Sequence, residues 1–329
     1  MNKNLCAGVS SFFILLFLFS LACAADKLRT GFGTLSGTHM VLYVAKEFGL
    51  YEKYDVTAEI VGHIPGAKAL VPLLSGDAQV SHAAGPPFVS GTLAGNDVVI
   101  FLGLINTMPF CIVSHKDIAH PSQLKGKKLG VSTLGSSSDF SLRFGLKKLG
   151  IDPEREVTIL ALGDSAIRAS AINNGMIHGG AFSMGETAVL RKFGHRVALD
   201  LSAAGIEYQA TAAATTRTLL KKNRRALLNY SKAIIHGMSL MMSRKEETLK
   251  IMAKYLRIDN REAVEAQYEE NVNKLYARKP YPTLNGVKAI LENLAVKDER
   301  ARMANPERFV ELSIVRQLDE SGFIDALYK

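Results

Sequence analysis

The sequence predicts an open α/β fold built in two halves, on three observations. Short apolar and β-branched segments alternate with helix-forming segments of about ten residues from residue 28 to 104. The same alternation starts again at residue 109 and runs to residue 200. Beyond residue 217 that rhythm stops, and long segments with an apolar stripe and a charged face take over. At 329 residues the chain is long enough for two domains of ordinary size.

Residues 28–33 read as a first strand. Met40, Leu42 and Phe48 then set the apolar stripe of a helix that Gly49 stops. Residues 56–61 alternate as a second strand, and residues 66–74 form a helix ended by Ser75-Gly76-Asp77. A third strand over 78–82 is followed by Gly85-Pro86-Pro87, which opens a helix closing at Gly95-Asn96-Asp97, and by a fourth strand over 98–104. In the second half, strands are expected at 109–113, 128–132, 157–160, 177–182 and 196–200, with helices at 137–149, 166–173 and 185–193. Residues 208–216, rich in Ala and Thr, read as a strand returning to the first half. Helices follow at 219–242, 246–256, 261–276 and 285–293, broken at Pro280-Tyr281-Pro282. They carry neither a sustained heptad nor a continuous basic face, so packing on the back of the first half is expected of them.

The stretch from Gly126 to Gly150 is the one around which the rest is arranged. A short strand runs into a glycine turn, Ser136 stands as N-cap, and Asp139 completes an S-x-x-D capping box. Free N–H groups and the hydroxyls of Ser136, Ser137 and Ser138 at a helix start form a cradle for an acceptor-rich small molecule. The plainer reading is that Ser136 only caps the helix and its neighbours are solvated. No G-K-[ST] follows, so this is not a P-loop.

In open α/β sheets, ligands sit beyond the carboxyl ends of the strands, which makes the loops after each strand the candidate cleft walls. In the first half these loops offer Thr34, Leu35 and Ser36, then His82, Ala84 and Gly85, then Asn106 and Thr107 with Met108. From the second half come the three serines, with Met184 and Glu186 after Ser183. Hydroxyls and backbone N–H groups are expected to bind the polar end of a ligand, with Leu35, Met108 and Met184 on an apolar part. His82 either donates to a ligand oxygen or bonds local backbone. Glu186 either contacts ligand or serves the first helical turn. No Arg or Lys falls in these loops, and Asp139 adds negative charge beside the serines, so a strongly anionic ligand is not specified. Replacing Ser137 and Ser138 together by Ala is expected to weaken binding and leave the fold near its original stability.

Lys3, an uncharged apolar run over residues 12–21 and Ala22-Cys23-Ala24 read as a secretory signal peptide occupying residues 1–24. The run is shorter than the ~20 residues of a membrane span, so removal and a periplasmic location are expected. Lipidation at Cys23 is the alternative, for which Ser20-Leu21-Ala22 is a poor lead-in. Cleavage removes Cys6 and Cys23 and leaves Cys111 as the lone thiol. It lies in an apolar run without a neighbouring base and reads as buried and inert. The net charge of +9 is scattered, with short clusters only at Lys221-Lys222 and Arg224-Arg225, and nucleic acid is not an expected partner.

Catalytic readings find less support. Ala181-Phe182-Ser183-Met184-Gly185 has the A-x-S-x-G form of a hydrolase elbow, but only His195 and His236 follow as bases. His115 and His120 have no partner at metal-ligand spacing, and neither metal nor cofactor is expected.

An ordered set of motifs runs through Leu42-Tyr43-Val44-Ala45-Lys46-Glu47-Phe48-Gly49-Leu50-Tyr51, Leu74-Ser75-Gly76-Asp77-Ala78-Gln79-Val80 and Gly85-Pro86-Pro87-Phe88. It continues through Gln123-Leu124-Lys125-Gly126-Lys127-Lys128-Leu129-Gly130-Val131, Gly135-Ser136-Ser137-Ser138-Asp139, Leu149-Gly150-Ile151 and Ala171-Ile172-Asn173-Asn174-Gly175. In this set the chain resembles the periplasmic substrate-binding proteins of ABC importers in the nitrate, sulfonate and taurine group, whose relatives include binders of thiamine-precursor pyrimidines. The likeness spans residues 27–217 in order and extends more loosely beyond. The resemblance implies a two-lobe periplasmic-binding-protein fold of type II, with two hinge strands near 109–115 and 205–214 and extra C-terminal helices. Lobe 1 would be residues 25–114 with 208–329, and lobe 2 residues 115–207. It implies a monomeric, non-catalytic receptor delivering a sulfonate, carboxylate or polar heteroaromatic solute to an inner-membrane ABC permease. A periplasmic serine hydrolase or synthase on the same scaffold, or a ligand-sensing signalling subunit, is the alternative. A synthase of this fold uses pyridoxal phosphate held on a lysine, and Lys68 after His63 is the faint echo of it here.

Overall fold

The computed structural model describes residues 26–33, 37–63 and 66–329; the signal-peptide segment and Thr34, Leu35 and Ser36 lie outside the described residues. Ten strands are present among them: β1 (Asp26–Phe32), β2 (Val56–His63), β3 (Val80–Ala83), β4 (Val99–Thr107), β5 (Phe110–Ser114), β6 (Lys128–Val131), β7 (Thr158–Ala161), β8 (Gly179–Ser183), β9 (Arg196–Asp200) and β10 (Glu207–Thr215). The helices up to the last strand are α1 (Val41–Glu47), α2 (Leu50–Lys53), α3 (Val71–Ser75), α4 (Gly85–Leu93), α5 (Ser137–Lys148), α6 (Ser165–Asn173) and α7 (Met184–Lys192). After it come α8 (Arg217–Lys222), α9 (Arg224–Ser243), α10 (Lys245–Leu256), α11 (Arg261–Leu275), α12 (Leu284–Leu294), α13 (Glu299–Arg302), α14 (Ser313–Glu320) and α15 (Phe323–Ala326).

The strands form two five-stranded sheets, ordered β2-β1-β3-β10-β4 and β7-β6-β8-β5-β9. The two orders are equivalent. In each, a parallel trio is followed by one antiparallel strand in fourth place, β10 in the first sheet and β5 in the second. Each fourth strand enters its sheet directly after the chain crosses from the other one. The crossings fall at Met108-Pro109 and at residues 201–206. β5 therefore pairs wholly within the second sheet, where the sequence rhythm puts residues 109–113, whereas the lobe bounds implied by the resemblance put residues 109–114 with the first lobe. The strand-like segment extends to the crossing, and only pairing decides which sheet receives it.

β10 shows why its sequence is small-residue rich. It is buried along almost its whole length between β3 and β4, and helices press on it from outside. A Cβ on Gly85, at the start of α4, would lie 2.3 Å from the Gln209 carbonyl oxygen, and one on Gly286 in α12 would lie 2.5 Å from the Gln209 nitrogen. α9 packs against α1 and α2, burying Leu227, Tyr230, Ile234 and Met238 in the core of the first sheet. The second sheet has its own core around Cys111, Val113, Ile172, Phe182 and Leu190. Among the described residues, no helix is long and apolar enough to cross a membrane.

Two elements differ from the sequence reading. The helix expected over 219–242 begins earlier and breaks at Asn223, whose side chain accepts from the Ala226 N–H and restarts the chain as α9. The C-terminal helices do not all lie behind the first sheet: α11 contacts both the 3-10 turn Gly37–His39 and α7 of the second half.

Candidate functional site

Between the two sheets lies a cavity of about 360 Å³ lined by residues of both halves. One wall is Gly33, the 3-10 turn Gly37–His39, Ala83-Ala84 and Ala210-Thr211. The facing wall is Ser132-Thr133, Ser136-Ser137-Ser138, Arg168 and Ser183-Met184-Gly185-Glu186. Leu256, Ile258 and the α11 residues Gln267, Glu270, Asn271 and Leu275 line the remaining side. The close seating of α11 requires a glycine opposite, because a Cβ on Gly37 would lie 2.5 Å from Asn271 Nδ2. Tyr276, just after α11, donates from its hydroxyl to the Thr38 carbonyl at 2.7 Å and holds the turn.

The serine cradle forms as a network. Gly135 takes positive φ at the turn into α5, and the Asp139 N–H then donates to Ser136 Oγ at 3.4 Å. Ser136 Oγ donates to the Thr133 carbonyl at 2.6 Å, while Ser138 Oγ accepts the Ser132 N–H at 2.9 Å. The expected capping box is shifted by one residue, since the Asp139 carboxylate accepts from the Gly135 N–H at 2.8 Å rather than from Ser136. Its other oxygen takes Arg143 Nε at 2.8 Å, so its charge is compensated on the side away from the serines. Ser137 differs from both neighbours. Its buried Oγ faces the buried Tyr208 hydroxyl and neither has a further partner, while Thr133 Oγ1 on the same wall is buried without a hydrogen bond. Buried polar atoms are normally paired, so orphans sharing one cavity wall mark where a ligand's polar end would bind.

The second helix start in the cleft belongs to α7. Ser183 Oγ accepts the Glu186 N–H at 3.4 Å, and Glu186 Oε2 accepts the Ser183 N–H at 2.5 Å, a complete capping box. Glu186 Oε1 also binds Arg168 Nη2 at 2.9 Å, and Arg168 Nη1 donates to the Gly163 carbonyl at 2.9 Å. Arg168 is 5 % exposed, and its Nε has no partner. An arginine thus does reach the cleft, although none stands in the strand-end loops. It comes from the middle of α6, three and four residues before the buried Ala171 and Ile172. A cation on the buried face of a small-residue helix was the available signal.

Glu270 was not foreseeable. Burial is the main cause that raises its carboxyl to about 7; Lys274 one turn along opposes this, and Glu186 and Asp200 reinforce it. Its place over the cleft depends on where α11 docks, which local pattern does not encode.

Of the residues read from the strand-end loops, Ala84, the three serines, Met184 and Glu186 line the cavity; His82, Gly85, Asn106 and Thr107 do not. His82 is fully buried, with Nε2 2.9 Å from the Tyr230 hydroxyl, and burial lowers its imidazole to about 3. It is a neutral core residue under the wall. Gly85 serves the close packing on β10. Asn106 Nδ2 donates to the Tyr281 carbonyl at 2.9 Å and ties β4 to the C-terminal region. Thr107 ends β4 opposite Glu207. Met108 is buried and away from the cavity as well.

The catalytic readings lose their parts. His195 is held by the Lys116 N–H at 3.1 Å and by Asn173 Oδ1 at 2.7 Å, and His236 lies 2.9 Å from the Tyr54 hydroxyl, so neither lines the cavity with Ser183. Cys111 is buried with its thiol pushed up to about 12. No lysine lines the cavity among the described residues, and Lys68 is exposed on the 3-10 turn Gly66–Leu70, so the wall offers no attachment point for pyridoxal phosphate.

Two equivalent sheets with a cleft between them, entered by crossing strands, define the periplasmic-binding-protein fold. Solved structures agree. The aliphatic sulphonate binding protein SsuA of Escherichia coli superposes with a TM-score of 0.72 at 18% identity, covering 87% of this chain and 92% of that one. The nitrate-binding protein NrtA of Synechocystis PCC 6803 gives a TM-score of 0.70 at 14% identity, covering 90% and 89%. A Candida albicans protein described as having the generic periplasmic binding protein structural fold gives 0.68 at 15%, covering 87% and 96%. Among curated protein sequences, none matches. Within that fold, residues 36–248 match the NMT1/THI5-like family, and this chain belongs to that family.

Proposed function

We propose that this protein is a non-catalytic solute-binding receptor that passes a small organic molecule to an ABC permease in the inner membrane. The observation that carries the reading is the cavity between two sheets, walled by both and lined by orphaned polar atoms and two capped helix starts. A solute that touches both walls favours the closed arrangement by its differential affinity for it, and closure is a shape change that a permease reads. The two sheets act as two lobes, with residues 26–107 and 207–329 around the first and residues 110–200 around the second; the hinge lies at Met108-Pro109 and residues 201–206. Residues 1–24 direct export to the periplasm, where the mature chain works as a monomer.

Ser183 supports this reading over a hydrolase, because its hydroxyl caps α7 and the histidine that lines the cavity, His39, stands on the opposite wall with its Nδ1 3.2 Å from Thr38 Oγ1. Incubation with a stabilising solute is expected to raise Tm, contract the radius of gyration in small-angle scattering, and return the solute chemically unchanged. Conversion of the solute, or binding without any contraction, would overturn the proposal.

A further inference from the structure

The charge of the solute can be read from the ionisable side chains of the cleft; this inference rests on the receptor reading above. Four acidic or guanidinium side chains line the cavity: Arg168, Asp164, Glu186 and Glu270. Arg168 is already engaged within the protein. One end binds Glu186 at 2.9 Å, the other the Gly163 carbonyl at 2.9 Å, and its guanidinium lies 5.7 Å from the centre of the Phe182 ring. The second Glu186 oxygen takes the Ser183 N–H. That pair is internally neutral and held from both sides.

Glu270 is different. It has no ion pair among the described residues, and it lies over the start of α7, where the Gly185 N–H donates to it and a Cβ on Gly185 would stand 3.1 Å from Glu270 Oε2. We propose that Glu270 determines the specificity of the cleft, and that the captured solute carries a protonated amine or amidine nitrogen that binds its carboxylate. An anion entering this cavity would meet Asp164, Glu186 and Glu270, and the guanidinium that lines it among the described residues is paired with Glu186, leaving only the buried Arg168 Nε to offer. A cation would give the Glu270 carboxylate a charged partner beyond the Gly185 N–H that already binds it. The serine end then supplies neutral donors to a hydroxyl or carbonyl of the same molecule, and Phe110, Met184, Leu256 and Ile258 supply an apolar bed for its body.

The groups facing Glu270 are Gly185 and Glu186 of α7, Asp200 at the end of β9, and Lys274 on its own helix; His39 stands on the turn against α11. With its carboxyl near 7, Glu270 is largely protonated in mild acid, and a bound cation draws it into the ionised form. Cation affinity should therefore fall as pH is lowered through 7.

The test compares probes of matched shape and opposite charge by thermal shift and calorimetry at pH 8: benzamidine, benzylamine and agmatine against benzoate, ethanesulfonate and nitrate. The basic probes are expected to raise Tm more than the anions do. Glu270→Gln should cost them about tenfold or more in affinity and abolish the pH dependence between 8 and 6, while the unliganded variant melts at pH 8 no lower than the parent. A panel in which no basic probe outperforms the anions overturns the inference, as does a Glu270→Gln variant that binds them undiminished. Anions bound tightly and returned unchanged would sink the charge assignment and leave the receptor standing. Chemical conversion of a bound amine would do the reverse.

Discussion

Ser137 and Ser138 are adjacent in the first turn of α5 and have different tasks. The Ser138 hydroxyl accepts the Ser132 N–H and touches both Ser132 Oγ and Ser136 Oγ, so it closes the turn into the helix. Ser138→Ala is expected to destabilise the fold by about 1–3 kcal/mol, read from urea denaturation, because it leaves a backbone donor unpaired. Ser137→Ala removes a hydroxyl whose protein neighbour is the buried Tyr208 hydroxyl. It should lower the urea midpoint less than Ser138→Ala does and weaken solute binding roughly threefold to tenfold, the worth of about one hydrogen bond. The expectation that both serines could be removed without cost therefore does not extend to Ser138. Glu270 gives a pH signature. Its folded-state carboxyl is raised to about 7, so between the ordinary carboxylate range and 7 the native state binds more protons than the unfolded one. Its contribution favours the fold at low pH and is lost as pH rises through 7. In Tm measured from pH 5 to 8, Glu270→Gln should be less sensitive to rising pH than the parent; equal slopes would refute the assignment. At this scale the N-cap serines were legible because capping is local. Arg168 and Glu270 were not, since one acts through a helix face and the other through docking of a distant helix.

At the level of elements, most strand and helix positions followed from glycine, proline and cap residues that punctuate the chain. β9 runs over the residues expected of it, and α5 ends within a residue of its expected stop. The sequence could not say what β10 packs against, because alanines at that spacing suit several environments. The structure seats α4 and α12 on its backbone at Gln209 through their own glycines. Gly286→Ala tests this: the new methyl would meet Thr283 Cγ2 at 2.4 Å and Gln209 N at 2.5 Å, and the backbone atom cannot rotate away. A loss of about 2–3 kcal/mol or more in unfolding free energy is expected. A change below half of that would mean α12 shifts freely on the sheet. The break at Asn223 was missed for the opposite reason, since apolar periodicity runs on through residues 219–228 and only the cap interrupts the helix.

For the whole molecule, the two-sheet architecture was legible from the repeated alternation, which also put residues 109–113 in the second half and returned 208–216 to the first, whereas the order of strands within each sheet was not. Topology sets a consequence for assembly. The second sheet is drawn from one continuous stretch, residues 110–200, and all its hydrogen-bonding partners are present once that stretch is made. The first sheet is not so fortunate, because β10 wedges between β3 and β4. Until residues 207–215 arrive, both of those strands hold unsatisfied edges that face each other across a gap, the kind of edge that recruits wrong neighbours. A chain delivered in N-to-C order would therefore complete its later sheet first and seal its earlier one last, like a zip closed by its final tooth. Pulsed hydrogen exchange during refolding should show amides of β5, β6 and β8 protected before those of β3 and β4.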